Sequence, residues 1–120
     1  MERTRSLPSS LRLIGQLLLL GFFLTPVMAI GQDSEFAETL RLAQEGNAAA
    51  QYNLGFMYLI GEGVPINYVT AYAWFNVAAV SGSERASKNR SIVEQHMTPT
   101  QIGEAQKLSI EIYNSILVNQ

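Results

Sequence analysis

A glycine-punctuated apolar stretch from Ala50 to Ala79 constrains the fold of this 120-residue chain more than any other feature. Gly61 and the segment Gly63-Val64-Pro65 interrupt it, because glycine favours the left-handed cap conformation and proline cannot continue a helix. Asn67 then supplies a good N-cap for a following helix. The stretch therefore predicts two short helices joined by a tight loop, a hairpin that cannot bury both of its faces alone.

Apolar residues at helical spacing define the faces of this predicted hairpin. Ala50, Leu54 and Tyr58 recur every four residues, so they share one side of the first helix. Gly55 has no side chain and is expected to let a neighbouring helix approach closely. In the second helix, small alanines surround one tryptophan, which predicts tight packing. The predicted buried face of that helix consists of Ala71, Trp74, Phe75, Ala78 and Ala79.

The chain also contains a weak internal repeat. Sliding the sequence by 36 positions aligns Gly46 with Gly82 at corresponding predicted helix ends. This period lies within the range of about 33 to 47 residues that is typical of helical-hairpin arrays. The glycine pair is the most informative match, because alanine is common in this chain. The other aligned pairs are Ala37 with Ala73, Ala43 with Ala79, Ala50 with Ala86, and the aromatic pair Phe36 with Tyr72.

The spacing of these small and aromatic residues resembles the Sel-1-like repeat family, which is related to tetratricopeptide repeats. The resemblance covers one full repeat at about residues 47–82 and part of a preceding one. It implies an all-α, short right-handed α-solenoid of antiparallel helix pairs. Asn67 stands where the family prefers aspartate, and the repeat after Ala86 has decayed. The matching positions are Ala50, Leu54, Gly55, Tyr58, Gly61, Gly63, Ala71, Trp74, Ala78, Ala79 and Gly82.

The N-terminal segment has the pattern of a secretory signal peptide. Three arginines lie within the first 12 residues, an apolar core occupies 13–24, and a proline follows. We predict a signal peptide over 1–29, with cleavage after Ala29 or, alternatively, after Gly31. An uncleaved membrane anchor is the other interpretation, although this core is shorter than the roughly 20 apolar residues that a spanning helix needs. The expected location is periplasmic or secreted, without stable membrane insertion after cleavage.

The composition of the remaining chain excludes several kinds of function. Without the signal peptide, nine acidic and five basic side chains remain, and no cluster of lysine and arginine marks a nucleic-acid site. The chain has no cysteine, which excludes a thiol nucleophile and a zinc site of cysteine type. The predicted domain at 33–120 must therefore be held by helix packing rather than by disulfides. No cofactor is expected.

Further helices are predicted on both sides of the hairpin, about five in all. One begins at Asp33 or Ser34 and ends at Gly46, with Glu35 and Glu38 favourably placed in its first turns. It corresponds to the second helix of a truncated preceding repeat and is expected to cover one end of the hairpin. After Gly82, a half-exposed helix is predicted from a Ser83 cap to about His96.

The last predicted helix begins at the capping box Thr98-Pro99-Thr100-Gln101 and extends to about Val118. One broad side is apolar, while Glu104, Lys107 and Glu111 share the opposite side. This side either covers the end of the hairpin stack or contributes to a dimer contact. The apolar residues are Ile102, Ala105, Leu108, Ile112, Tyr113, Ile116 and Leu117.

No residue pattern indicates catalysis or metal binding. His96 is the only histidine, and Ser91 and Glu94 are near it in sequence without forming a recognisable catalytic arrangement. The pair Gly61 and Gly63 lacks the third glycine and the preceding strand of a nucleotide site, so these glycines are assigned to the turn. The acidic residues are too scattered to predict a metal cage.

A contact with another protein or peptide is the function that the resemblance implies. In such arrays the first helix of each pair lines a concave surface, which by analogy would present Tyr52, Phe56 and Leu59. The alternative is that neighbouring helices cover these three residues. Family members act as adaptors and scaffolds, so we predict a non-catalytic interaction module of the envelope or secreted fraction.

Two other functions remain alternatives. Cysteine-rich exported relatives have been associated with penicillin binding and β-lactam hydrolysis, but they contain a disulfide in each repeat, and this chain has no cysteine. A small structural subunit that dimerises through its last helix is the second alternative. The sequence leaves the oligomeric state open.

Overall fold

The computed structural model describes residues 34–120, and this part of the chain consists of helices joined by short loops. It contains no strand and has the solenoid-like, all-α fold that was predicted. The predicted signal peptide at 1–29, its cleavage positions Ala29 and Gly31, and the possible cap Asp33 lie outside the described residues. The helices are α1 (34–44), α2 (Ala48–Ile60), α3 (Tyr68–Val80), α4 (Glu84–Glu94) and α5 (Pro99–Val118).

The period of 36 residues reappears in the geometry of two helix connections. Gly46 ends α1 at φ 93° and Gly82 follows α3 at φ 102°, a backbone region that favours glycine. In both turns the next residue donates its backbone N–H to a carbonyl five positions earlier, Asn47 to Leu42 and Ser83 to Ala78, at 3.1 and 3.0 Å. Asn47 and Ser83 then cap α2 and α4. Each turn thus ends one helix and starts the next in the same way.

The loop inside the hairpin also follows its local sequence. Gly61 caps α2 in the left-handed conformation, and its N–H donates to the carbonyl of Met57 at 2.9 Å. Asn67 caps α3, and its side-chain oxygen accepts from the N–H of Thr70 at 3.1 Å. Both predicted caps are therefore confirmed.

Helix α3 is the central helix of the described region, since α2, α4 and α5 all pack against it. It is buried on more sides than the single face that was predicted, because Tyr72, Ala73 and Val77 are buried too. Gly55 of α2 lies against the ring of Phe75, so close that a β-carbon at Gly55 would be 2.7 Å from Phe75 Cδ1. The expected close approach of two helices at this glycine is confirmed.

Two apolar clusters lie on different sides of α3. Trp74 packs in one with residues of α1, α2 and α5, among them Ala43 and Ile116. Phe75 packs in the other with residues of α4 and α5, among them Val93 and Ala105. Among the family-pattern positions, Tyr58 and Ala79 are half-buried, and the loop glycines Gly61, Gly63 and Gly82 are exposed. The buried family-pattern positions are Ala50, Leu54, Gly55, Ala71, Trp74 and Ala78.

Helix α5 begins with the predicted capping box, in which Thr98 and Gln101 exchange side-chain and backbone hydrogen bonds. Its apolar side is narrower than predicted. Tyr113 and Leu117 remain exposed. Ser109 is buried instead, and its hydroxyl donates to the carbonyl of Ala105 at 2.8 Å. Since Ala105 belongs to the Phe75 cluster and Ile116 to the Trp74 cluster, α5 crosses both.

Candidate functional site

Tyr52, the first of the three predicted contact residues, is half-buried between helices. Its hydroxyl accepts a hydrogen bond from the side-chain amide of Asn89 on α4 at 3.1 Å. Its ring lies 5.7 Å from that of Phe75, centroid to centroid. Tyr52 therefore joins α2 to α3 and α4, and only part of it faces solvent.

Phe56 and Leu59 differ from each other in exposure. Leu59 is half-buried against the Phe75 cluster, whereas Phe56 is 40% exposed. All three residues lie toward one side of α2, but Phe56 is the one whose ring is most available. Contact of these residues with a partner stays a prediction.

The ring of Phe56 lines a small polar pocket between α1 and α2, which we call the acidic pocket. Its volume is about 140 Å³. Two acidic residues, Glu35 at the start of α1 and Glu62 just after α2, are among the residues that line it. Its lining consists of Glu35, Thr39, Asn53, Phe56, Met57 and Glu62.

Charge pairing along α1 leaves the acidic pocket negative. Arg41 binds Glu38 and Glu45 on the outer side of α1, at 2.7 and 2.6 Å. The hydrogen bond from Arg41 is the main cause that lowers the pKa of Glu38, and the same contact raises the pKa of Arg41. Within residues 34–120, neither Glu35 nor Glu62 forms an ion pair. The two pocket carboxylates therefore have no cationic partner in the described structure.

Aromatic packing fixes α1 beside α2 at this pocket. Phe36 meets Tyr58 edge to face, with the ring centroids 5.9 Å apart. Burial raises the pKa of the Tyr58 hydroxyl, because the charged phenolate is disfavoured away from water. The contact of Phe36 with Tyr58 thus also positions Glu35, which directly precedes Phe36 in the chain.

A second surface lies between α3 and α5, and we call it the α3–α5 groove. Its volume is about 210 Å³. Val80 and Ile110 on its rim are 63% and 62% exposed, and Tyr113 lies beside them. Its lining consists of Asn76, Val77, Val80, Ser109, Ile110 and Tyr113. This groove is apolar, in contrast to the acidic pocket.

The residues considered for chemistry do not assemble into a catalytic arrangement in the described region. His96 is exposed after α4, with its ring 6.1 Å from that of Tyr68. Ser91 donates its hydroxyl to the backbone carbonyl of Ser87. Within residues 34–120, no group of three or more histidine, aspartate and glutamate side chains is close enough to hold a metal ion.

Sequence reasoning missed the pocket role of Glu35 and Glu62. It assigned Glu35 only a favourable interaction with the helix dipole in the first turn of α1, and it assigned no role to Glu62. The two residues belong to separate elements, so no local spacing joins them. The four glutamates and single arginine of residues 34–83 are the sequence pattern that points toward an acidic surface here.

The comparisons with known proteins agree with this architecture. The family model of the Sel1 repeat matches residues 48–83, which comprise α2, the hairpin loop, α3 and the following turn. A crystal structure of a protective antigen present in uropathogenic Escherichia coli strains, which displays an SLR fold, superposes with a TM-score of 0.68 at 31% identity. Residues 48–83 of this chain form a Sel1 repeat.

The superposition covers 71% of this Sel1-like chain and 18% of the antigen chain, so the antigen is a much longer protein. No curated protein sequence matches the chain. Sel1 repeat proteins are in general non-catalytic scaffolds that bind protein partners. The fold of this chain suggests a protein–protein interaction module. None of the described helices has the combination of length and apolar character that is required to cross a membrane.

Proposed function

We propose that this Sel1-like protein is a non-catalytic adaptor or scaffold of the cell envelope or the secreted fraction. It binds a protein or peptide partner on the side of α2 that contains Phe56, with Tyr52 and Leu59 behind it. The exposure of Phe56 is the observation on which this proposal depends. Exposed aromatic residues next to a pocket are common anchors for partners.

The test is affinity capture from an envelope extract with the wild type, Phe56→Ala and Ile92→Ala. Ile92 is an apolar side chain of α4 that is 53% exposed and lies outside the pocket, so it serves as the matched control. Tyr52 is unsuitable for truncation because it packs on Phe75 and binds Asn89. We expect Phe56→Ala to lose a partner that Ile92→Ala retains, with unchanged helicity. Equal recovery by both variants would contradict the site assignment.

Export is part of this proposal and has its own test. N-terminal sequencing of the protein from fractionated cells should find a chain that begins at Ile30 or Gln32, after cleavage at Ala29 or Gly31. A chain that starts at Met1 in the membrane fraction would favour the uncleaved anchor. The absence of catalysis is tested with a chromogenic β-lactam, for which we expect no turnover above that of buffer.

A second candidate function is a structural subunit that dimerises through α5. The exposed apolar rim of the α3–α5 groove, with Val80, Ile110 and Tyr113, favours this candidate. Light scattering across a range of protein concentrations distinguishes the two functions. A dimer mass that Ile110→Lys reduces to the monomer mass supports the structural subunit, whereas a monomer mass at every concentration rejects it.

A further inference from the structure

We propose that the acidic pocket binds a positively charged side chain of the partner, a lysine or an arginine. The inference deepens the proposed function, on which it rests, because Phe56 belongs to both the pocket and the proposed contact surface. Its basis is that two glutamates and one exposed aromatic residue line the same pocket, namely Glu35, Glu62 and Phe56.

The charge distribution of the chain favours a cation at this place. Residues 34–83 contain four glutamates and one arginine, whereas residues 84–120 contain four glutamates and four lysines and arginines. The excess negative charge of the described region therefore lies on the α1 and α2 side. Arg41, the single cation there, is already bound to Glu38 and Glu45. Of the three excess negative charges, one remains on the cluster of Arg41 with Glu38 and Glu45, and the other two belong to Glu35 and Glu62, which line the pocket.

The other groups of the pocket suit an organic cation. The face of an exposed aromatic ring such as Phe56 attracts ammonium and guanidinium groups. Asn53 and Thr39 line the same pocket, and their side-chain oxygens are able to accept hydrogen bonds. A volume of about 140 Å³ is large enough for the end of one side chain and too small for a folded element.

Two other occupants are disfavoured by the same observations. An apolar side chain would remove Glu35 and Glu62 from water without compensating their charge, which is unfavourable. A divalent ion such as calcium takes about six to eight oxygen ligands. No group of three acidic or histidine side chains within residues 34–120 is arranged to hold one. An apolar partner group fits the α3–α5 groove better than it fits this pocket.

The test uses the 120-residue chain labelled with nitrogen-15 and three blocked tripeptides. The probes are acetyl-Gly-Arg-Gly-amide, its lysine analogue, and an analogue in which neutral citrulline replaces arginine. We expect saturable amide shifts centred on Asn53, Phe56 and Glu62 with the two cationic peptides. The citrulline peptide, which has nearly the same shape without the charge, should leave these amides unshifted.

Paired charge variants locate the binding site. Glu35→Gln/Glu62→Gln should weaken binding of the arginine peptide by about five- to tenfold, as expected for two partly exposed charge contacts. Glu38→Gln/Glu45→Gln removes the same number of charges from α1 and the turn after it, outside the pocket, and should weaken binding by less than about twofold. Equal loss in both pairs, or equal shifts with citrulline, overturns the proposal.

The same variants separate this inference from the adaptor function. If Phe56→Ala loses the captured partner and Glu35→Gln/Glu62→Gln retains it, the Phe56 surface is a partner interface. The proposal that the pocket binds a lysine or arginine of the partner is then wrong. If both variants retain the partner although the arginine peptide binds as expected, the pocket binds cations and the adaptor surface is elsewhere. Loss of the partner in both variants, with Glu38→Gln/Glu45→Gln unaffected, supports both proposals together.

Discussion

The hydroxyl of Ser81, at the end of α3, donates a hydrogen bond to the side-chain oxygen of Gln51 in α2 at 3.0 Å. The amide nitrogen of the same glutamine donates to the backbone carbonyl of Ala43 in α1 at 3.1 Å. Gln51 is 1% exposed, so this one buried amide connects three helices. It connects α1, the half-repeat, to the hairpin of α2 and α3, next to the turns that follow α1 and α3.

Replacing Gln51 with leucine tests the strength of this connection. Leucine has a similar size but no polar atoms, so the Gln51→Leu variant leaves Ala43 and Ser81 without these bonds. We expect a loss of about 1–3 kcal/mol in the free energy of unfolding, measured by urea denaturation. Gln106→Leu, on the exposed side of α5, is the control and should change stability by less than about 0.5 kcal/mol. Similar values for both variants would show that the buried amide is not important for stability.

The buried Gln51 also shows which features of the fold could be predicted from the sequence and which could not. Glycine and cap residues determine helix ends through contacts within a few positions, so the ends at Gly61, Asn67 and Thr98 were predictable. Gln51 has partners 8 and 30 positions away, which no local spacing indicates. Its polarity alone favours an exposed position, and the structure places it among buried residues.

The same distinction applies to the candidate site. Tyr52, Phe56 and Leu59 all lie in α2, and their spacing places them toward one side of that helix. Their different exposures depend on Asn89 and on the neighbouring helices, which become adjacent only in the folded chain. The acidic pocket likewise requires α1 to lie beside the end of α2. The repeat pattern thus predicted the architecture, while tertiary contacts determine which surface is open.

Gly55→Ala is expected to destabilise the protein, although alanine is the better helix former by about 1 kcal/mol. The new β-carbon would lie 2.7 Å from Cδ1 and 2.8 Å from Cε1 of the buried Phe75 ring, closer than carbon atoms approach. The helices must therefore separate or the ring must move, which costs about 1–3 kcal/mol for such overpacking. Thermal unfolding followed by circular dichroism measures the change.

Gly103→Ala is the matched control for this prediction. Gly103 is also helical, but a β-carbon there would meet nothing within 4 Å. We expect this variant to gain up to about 1 kcal/mol from helix propensity. Opposite signs at the two glycines support a packing role for Gly55. A stabilised Gly55→Ala variant would show that α2 and α3 adjust at no cost.

Thr98→Ala should weaken the start of α5 by about 1 kcal/mol, because the threonine side chain caps the helix. Its hydroxyl oxygen accepts from the N–H of Gln101 at 3.2 Å, and the Gln101 side chain accepts from the N–H of Thr98 at 2.9 Å. Thr98→Ser keeps the cap and should retain nearly all of the stability. Urea denaturation of both variants measures the change in the free energy of unfolding. Equal losses of stability in the two variants would assign the effect to the threonine methyl group rather than to the cap.

The hydroxyl of Tyr58 is expected to make the stability of the protein depend on pH in the alkaline range. Burial raises the pKa of its hydroxyl above the usual value of about 10, so the folded chain holds this proton more tightly than the unfolded chain. The corresponding stability is fully present below the unfolded pKa and is lost as the pH rises through the folded pKa. We therefore expect the free energy of unfolding to decrease above about pH 10.

Tyr58→Phe isolates this contribution because phenylalanine keeps the edge-to-face contact with Phe36 and has no proton to lose. The variant should lose less stability between about pH 9 and pH 11 than the wild type does. Tyr68→Phe, at a ring that is 39% exposed, is the control for the removal of a tyrosine hydroxyl. Urea midpoints measured across this range for the three proteins test the prediction. Parallel curves for the two variants would mean that Tyr58 ionises as easily in the folded chain as in the unfolded one.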